Sequence, residues 1–218
     1  MPTLGGTGPD LVCNFEVLTT TMLTQLGTSK IHWNYFLALE RNMEVVTRFV
    51  EFSERNFSVH SIELAHLLFA AASEVDVVAK LLCKHVAPGA PCRNMDEYRG
   101  TLLQAMPGLP QESVFVPRYG LVLEPWVTWE DDKNPPWWRA YNDVKHQRDV
   151  HFQDATLQNA IHALGALLLL TINYYAATLP PPGYPTLLLR DATSQLLPES
   201  SLLRLDASHY HGAFILTR

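Results

Sequence analysis

Apolar residues recur at steps of three and four along most of this chain, and that period predicts α-helices. Three helices are predicted in the first half: one capped by Thr28 or Ser29, one that begins at Ser61, and a shorter one from Asn94 to Met106. Glu74 lies close to the apolar stripe of the second helix, where its carboxylate could pair with an Arg from a neighbouring helix. The first half of the chain is therefore expected to form helices that pack through their apolar stripes.

The helical period is lost between Gly108 and Lys133. Short apolar runs there indicate strands or extended loop, and Pro117 and Pro125 limit any regular ladder of backbone hydrogen bonds. We expect an irregular insertion between helices, at about residues 108–133, that covers part of the surface.

Two helices are predicted after the insertion. The first starts at a pair of prolines and runs to Val150 or beyond, with Trp137 and Trp138 interpreted as core anchors rather than as stacking platforms for a base. Asp154 is the predicted N-cap of the second, which spans about Ala155 to Thr178. Because the second helix is apolar on nearly all sides, it must be enclosed by other helices or by a partner subunit.

The order of these elements predicts one all-α domain with two extensions. A bundle of four or five helices covers residues 28–178, after an N-terminal arm at 1–27. A tail led by prolines, residues 179–218, is expected to be mostly extended and to pack on the body or on a partner. A β-hairpin around His211 and Gly212 is one option for this tail.

Composition narrows the class of protein. The chain has 218 residues, 47% of them hydrophobic and 17% charged, which describes a globular protein able to bury a sizeable core. A net charge of −6 argues against a broad basic groove for long nucleic acid but leaves room for a small cationic site. The cysteines are irregularly spaced, no signal peptide is evident, and the strongest apolar run, Ala163 to Ile172, is too short to span a bilayer. We therefore expect a cytoplasmic protein with reduced thiols at Cys13, Cys83 and Cys92 and no membrane partner.

One face of the helix at Trp137 carries the candidate chemistry. At about 100° per residue, Arg139, Asn142, Asp143 and His146 fall within an arc of roughly 100°. An arginine is a fixed cation whose fork matches a phosphate, and a histidine is the side chain best placed to move a proton near neutral pH. Together these side chains indicate chemistry on a phosphodiester.

The segment WWRAYNDVKHQR and the Ala-rich apolar helix after it resemble the late helices of the HEPN superfamily, small all-α domains of many prokaryotic toxins and phage-defence proteins. The motif of that family is an Arg, four to six residues and then a His, which Arg139, six residues and His146 match. The resemblance implies a HEPN-like bundle and a metal-independent endoribonuclease, in a toxin or phage-defence role, that needs no cofactor.

The resemblance also implies roles for individual residues. His146 would act on the 2′-hydroxyl of RNA or orient it, and Arg139 would hold the scissile phosphate. Four further residues are candidate substrate ligands that would position the phosphate or add positive charge: Asn142, Lys145, Arg148 and His151. Because family members usually assemble the site across a two-fold dimer, the expected partners are RNA or a nucleotide and a second copy of the chain, with a cognate regulatory protein as a further candidate.

A second function remains open: a HEPN-like bundle that does not cleave and instead binds a nucleotide or a protein and dimerises. Many family members have a polar residue directly after the Arg, where this chain has Ala140. The acidic net charge and the apolar last helix, which needs a partner, also favour this alternative.

No metal site and no phosphate loop are predicted. His146 and His151 are five residues apart and do not share a helix face. His209 and His211 would point the same way on a strand, but no carboxylate or thiol near them in sequence completes a metal set. The glycines at Gly5–Gly8 lack the Lys-Ser/Thr continuation of a phosphate-binding loop.

Overall fold

The computed structural model describes residues 29–180 and 186–211, and this part of the chain is mainly α-helical. Contacts divide the chain into a unit at Met1–Ile31 and a unit at His32–Arg218. The predicted N-terminal arm, with Cys13 and Gly5–Gly8, lies outside the described residues. The α-helices of the described chain are α1 (Ile31–Val46), α2 (Ile62–Val86), α3 (Met95–Ala105), α4 (Pro136–His146), α5 (Arg148–His151), α6 (Leu157–Thr178) and α7 (Leu189–Thr193). The predicted all-α fold class is confirmed.

α2 and α6 form the central pair of the core and pack along much of their lengths. α6 buries side chains all around its axis, and Leu167, Leu168, Leu169 and Leu170 have no exposed surface. By length and composition α6 could cross a membrane, but 78% of its most apolar stretch is buried inside the protein, as in the core helix of a globular domain. Of the two ways in which the last long helix could be enclosed, the structure shows the first: the fold itself encloses it, so its burial does not require a partner subunit.

The segment between α3 and α4 contains a short antiparallel sheet of β1 (Val114–Val116) and β2 (Leu121–Leu123). The sheet lies close to α6 at Gly165, where a Cβ atom would be 3.6 Å from Val114 Cβ and 3.6 Å from Leu123 Cδ1. These are ordinary van der Waals distances, so the sheet packs directly on this face of α6, and an alanine at Gly165 would also fit. The expectation of short strands in this segment is confirmed.

Three tryptophans join this segment to α4. The rings of Trp126 and Trp129 are 4.3 Å apart, those of Trp126 and Trp137 are 5.3 Å apart, and all three side chains are buried. The indole N–H of Trp137 donates a hydrogen bond to the carbonyl of Pro125 at 2.9 Å. The segment predicted to cover the surface therefore also contributes to the core, and Trp137 is the core anchor that the sequence predicts.

Side chains cap the N-termini of α2, α3 and α6. Ser61 Oγ accepts from a backbone N–H of α2 at 3.1 Å, and Asn94 Oδ1 accepts from one of α3 at 3.0 Å. The predicted cap of the last helix is wrong: the cap is Thr156, whose hydroxyl accepts from a backbone N–H at 3.2 Å. Asp154 instead ends a 3₁₀ turn, and its carboxylate contacts His151 Nδ1 at 2.9 Å.

The described part of the tail is attached to α1 through Glu40, a carboxylate with 1% exposure. Three consecutive backbone N–H groups, those of Ser201, Leu202 and Leu203, donate to it at 3.0 Å each. The hydroxyl of Ser200 donates to the same carboxylate. The buried carboxylate therefore has donors from the tail on both of its oxygens, as a buried polar group requires.

The tail also adds a single antiparallel bridge to the sheet. Phe115 and Arg204 exchange two backbone hydrogen bonds, at 2.7 and 2.9 Å. The tail is less extended than expected, because it contains α7 and a 3₁₀ turn at Ala207–His209, where a strand had been considered. The optional hairpin around His211 reaches Gly212, which lies outside the described residues.

Candidate functional site

The candidate residues lie on two helices, α4 and α5, and not on one continuous helix. α4 begins at Pro136, a first-turn position that needs no N–H donor. The prediction that this helix runs to Val150 is wrong, because Gln147 takes φ −140° and ψ 57°, outside the helical region, and α4 ends at His146. The chain then forms α5 (Arg148–His151), a separate short helix.

The apolar face of α4 points into the core. Trp137, Ala140, Tyr141 and Val144 are all buried. Ala140 is only 6% exposed, so the position after Arg139 is a core position in this protein. A polar side chain there would need a buried hydrogen-bond partner, which gives a packing reason for the alanine.

Arg139 and His146 lie on the opposite, solvent-facing side of α4, and both are exposed. Seven residues along a helix amount to about two turns, so their Cα–Cβ bonds point in directions that differ by roughly 20°. Neither side chain has a hydrogen bond or an ion pair with any residue within 29–180 or 186–211. Arg139 does not contact Glu74, which binds His32 Nδ1 at 2.6 Å instead of the expected Arg.

Arg139 lines a cavity of about 270 Å³ on one flank of α4. Asp143 and Asp154 line the same cavity, and Asn159 holds the carbonyl of Asp154 with a 2.8 Å hydrogen bond. Two carboxylates beside one guanidinium lower the positive potential inside this cavity, so Arg139 is better placed to bind a phosphate from the solvent-facing side of α4 than within the cavity.

Asp143, His151 and Asp154 form a set that could hold a divalent metal ion, since their ligand atoms all lie within 4.8 Å of one another. Carboxylate oxygens and an imidazole nitrogen are ligand types used for manganese and zinc. Sequence reasoning missed this set because Asp143 lies before the helix break at Gln147 and Asp154 lies after it. The turn through α5 is what brings the two carboxylates together.

Lys145 and Arg148 lie on the other flank of α4, in a second cavity of about 530 Å³. We call this cavity the aromatic groove; its lining residues are Tyr35, His66, Phe69, Ala70, Ser73, Tyr141, Lys145 and Arg148. Lys145 Nζ donates to the hydroxyl of Tyr141 at 3.2 Å and lies 5.1 Å from the centre of its ring. The guanidinium of Arg148 lies 5.0 Å from the centre of the Phe69 ring.

The six predicted site residues are thus divided around α4. Arg139 faces the acidic cavity, while Lys145 and Arg148 face the aromatic groove. The amide nitrogen of Asn142 donates to the carbonyl of Trp138, one turn back in the same helix, at 2.9 Å. The two remaining predicted residues are His146, exposed at the end of α4, and His151, which contacts Asp154.

Sequence reasoning also missed the histidines that bind carboxylates across the fold. His32 of α1 meets Glu74 of α2, and its backbone N–H donates to the Tyr175 hydroxyl at 3.2 Å. His209 Nε2 contacts Glu112 at 3.1 Å, and that carboxylate raises the pKa of His209 above its usual value. These partners are far apart in sequence, so only the tertiary fold identifies them.

The described thiols are packed in the core. Cys83 and Cys92 are both free and buried, as expected for reduced cysteines. Burial, with Cys92 as a further cause, raises the pKa of the Cys83 thiol to about 12. Cys83 therefore stays protonated near neutral pH and is a poor nucleophile.

A larger cavity, of about 630 Å³, lies between the sheet and the tail. Its arginine, Arg204, has Glu199 at 3.9 Å and lies 4.4 Å from the centre of the Tyr210 ring. Its histidine, His211, contacts Asp191 at 2.8 Å. Because both groups have acidic partners, this cavity offers less unneutralised charge than α4, and we place the candidate site at α4.

Comparison of the chain with family models, with curated proteins and with solved structures gave no match. The fold therefore brings no relative from which a function could be transferred. The chemistry and surroundings of the side chains on α4 and α5 have to carry the functional argument.

Proposed function

We propose that this protein is a metal-independent endoribonuclease of HEPN type, used in a toxin or phage-defence role, with Arg139 and His146 as its working pair. The observation that carries the proposal is that these two side chains share one exposed side of α4 and have no acidic partner within the described residues. An unpaired surface arginine and histidine are free to meet a phosphodiester, whereas paired ones would first have to be released.

In the proposed reaction the imidazole of His146 accepts the proton of the ribose 2′-hydroxyl as the 2′-oxygen attacks the adjacent phosphorus. The bond from phosphorus to the 5′-oxygen breaks, and the leaving oxygen takes a proton from an imidazolium or from water. The products are a 2′,3′-cyclic phosphate and a 5′-hydroxyl. Arg139 holds the negative charge that builds on the phosphate oxygens, a role that is strongest for a donor already in position.

A second copy of the chain is part of the proposal. One exposed Arg–His pair leaves the far side of a bound phosphate open to water, and a two-fold pairing of α4 surfaces would supply a second pair. The proposed partners are therefore RNA and a second copy, and sedimentation should find a dimer at micromolar concentration. A monomer at that concentration would count against a shared site.

Cleavage is tested with a fluorescent RNA in the presence of EDTA, using Arg139→Ala and His146→Ala. We expect each variant to lose about 100-fold or more in rate, in the range usual for a lost acid–base group or charge ligand. Matched controls are Arg55→Ala and His85→Ala, which remove an exposed arginine and an exposed histidine away from α4 and should cleave at the parent rate. Equal cleavage by Arg139→Ala, His146→Ala and the parent would end the assignment of these roles.

A separate experiment tests the proposal that cleavage requires no metal ion. Rates are compared in EDTA and in added Mg²⁺ or Mn²⁺, with Asp143→Asn as the variant that removes one member of the candidate metal set. We expect cleavage in EDTA and no gain with either ion. A rate that requires Mn²⁺ and is lost in Asp143→Asn would instead identify a metal-dependent phosphodiesterase.

A second candidate function is a bundle that binds a nucleotide or a protein without cleaving RNA. The burial of Ala140 favours it, since the position that is often polar in the resembled family serves packing here. Under this alternative the purified dimer would bind its ligand near α4 and leave RNA intact in every buffer. The cleavage assay above therefore separates the two candidates directly.

A further inference from the structure

We propose that the aromatic groove is a binding site for a nucleoside monophosphate unit, with the base against the aromatic wall and the phosphate at Lys145 and Arg148. The unit could be a free nucleotide or the phosphorylated end of an RNA, since both present the same base, ribose and phosphate. The proposal deepens the function proposed above by giving its ligand a subsite, but its test does not depend on cleavage.

The size of the groove fits such a ligand. Its volume of about 530 Å³ lies within the range of roughly 300–1,000 Å³ typical of small-molecule sites. It lies on the flank of α4 opposite the cavity lined by Arg139, so a ligand in it would not compete for that guanidinium.

The charge of the groove favours an anion. Neither Lys145 nor Arg148 forms an ion pair with a carboxylate within the described chain, although the whole protein has a net charge of −6. Both cations contact aromatic rings at the groove, and both remain exposed to solvent. Two cations already held at one cavity can bind a phosphate with less loss of side-chain freedom than two mobile surface cations.

The aromatic wall favours a flat group beside that anion. Phe69 and Tyr141 lie edge to face, with ring centres 6.0 Å apart, so they form an L-shaped wall. Nucleobases stack on aromatic rings and on arginine planes, and such stacking accepts any of the bases.

Inorganic phosphate alone would contact only the two cations of this site, and a nucleoside alone would contact only its aromatic wall. A ligand with both parts should therefore bind more tightly than either part. Tyr35 and His66 also line the groove and can form hydrogen bonds to ribose or base.

The test is a titration of the full-length protein with AMP, adenosine and inorganic phosphate by calorimetry, with Lys145→Gln and Arg148→Gln as variants. We expect AMP to bind more tightly than adenosine or phosphate, and each variant to weaken AMP binding by at least about tenfold. The matched controls, Lys84→Gln and Arg55→Gln, each remove one exposed cation elsewhere and should bind AMP as the parent does. Because Lys145 and Arg148 are exposed, we expect both variants to fold, and a thermal melt of each verifies this.

The proposal is overturned if AMP does not bind at millimolar concentration, or if it binds no more tightly than phosphate. It is also overturned if Lys145→Gln and Arg148→Gln, both folded, bind AMP as the parent does. A 5′-phosphorylated oligoadenylate, titrated beside AMP, identifies the source: tighter binding of the oligonucleotide indicates an RNA end, and tighter binding of AMP indicates a free nucleotide.

This experiment separates the two proposals. If AMP binds as expected and no RNA is cleaved, the ribonuclease proposal fails and the proposal of a nucleotide site in the aromatic groove stands. If RNA is cleaved and AMP does not bind, the groove proposal fails and the Arg139–His146 proposal remains.

Discussion

Ionisable side chains in this protein have opposite surroundings at two places, the junction of α1 with the tail and the surface of α4. Glu40, at the junction, is buried and has tail donors on both carboxylate oxygens. Arg139 and His146, on α4, are exposed and have no partner among the described residues. The carboxylate at the junction holds two parts of the chain together, whereas the exposed side chains on α4 are open to a ligand from outside.

This difference separates stability from function. A buried carboxylate is stable only when nearby donors replace the water that it has lost, so removing it leaves those donors without a partner. An exposed cation keeps its water, and removing it leaves nothing unsatisfied. Substitutions at the two places should therefore have opposite effects on folding and on ligand chemistry.

The largest expected effect on stability is that of Glu40→Ala. The substitution leaves the backbone N–H groups of Ser201, Leu202 and Leu203 without an acceptor in a buried place and opens a cavity. We expect the free energy of unfolding to fall by about 3–5 kcal/mol, as measured by urea denaturation. Glu44→Ala is the matched control, because Glu44 accepts only one tail hydrogen bond, from the Ser201 hydroxyl at 2.9 Å, and should cost about 1 kcal/mol or less. Equal losses in the two variants would remove the distinction between the junction and an ordinary surface carboxylate.

Much of the helical framework can be predicted from the sequence, because helices follow from local patterns. The apolar stripe of α2, the caps at Ser61 and Asn94 and the buried face of α6 depend on residues within a few turns of one another. The predicted N-cap of α6 is wrong because both Asp154 and Thr156 are residue types that cap helices well. In the structure the Asp154 carboxylate contacts His151 and the Thr156 hydroxyl caps α6, and the local sequence alone does not distinguish these two arrangements.

The site is harder to predict, because its parts come from different elements. Helical spacing correctly puts Arg139 and His146 on one exposed side of α4. It could not reveal that the helix breaks at Gln147, or that Lys145 and Arg148 line a groove together with Phe69 of α2. Nor could it identify the tail as the partner of Glu40, since that contact spans about 160 residues.

A smaller effect on stability is expected from pH, through a second contact of the tail. Glu112 raises the pKa of His209 above its ordinary value of 6.5, so the folded state binds this proton more tightly than the unfolded state. The contribution is therefore fully present below about pH 6.5 and is lost as pH rises through the raised pKa. We expect the difference in unfolding free energy between the parent and His209→Gln to be at most about 1 kcal/mol and to shrink as pH rises from 6 to 8.

The comparison of the parent with His209→Gln is necessary because the pKa of another histidine is shifted in the opposite direction, so its effect on stability changes with pH in the opposite sense. Burial lowers the pKa of His162, so that residue destabilises the fold as pH falls. Its effect is the same in both proteins and cancels in the difference. Glu112→Gln should remove the same pH dependence as His209→Gln, and His85→Gln, at an exposed position in α2, should retain it. A pH-independent difference between the parent and His209→Gln would mean that the tail does not rely on this pair.

The smallest expected effect on stability is at α4, and it completes the comparison with Glu40. Arg139→Ala and His146→Ala remove exposed side chains that have no partner among the described residues, so we expect each to change the free energy of unfolding by no more than about 0.5 kcal/mol. The measurement is the same urea denaturation, run beside Glu40→Ala. Ala140→Asn is a contrasting variant on the same helix, because its amide would be buried, and it should destabilise by roughly 1–3 kcal/mol. If Arg139→Ala or His146→Ala destabilised the protein as much as Ala140→Asn, those side chains would be holding the fold together, and the reason for assigning them to a ligand would be gone.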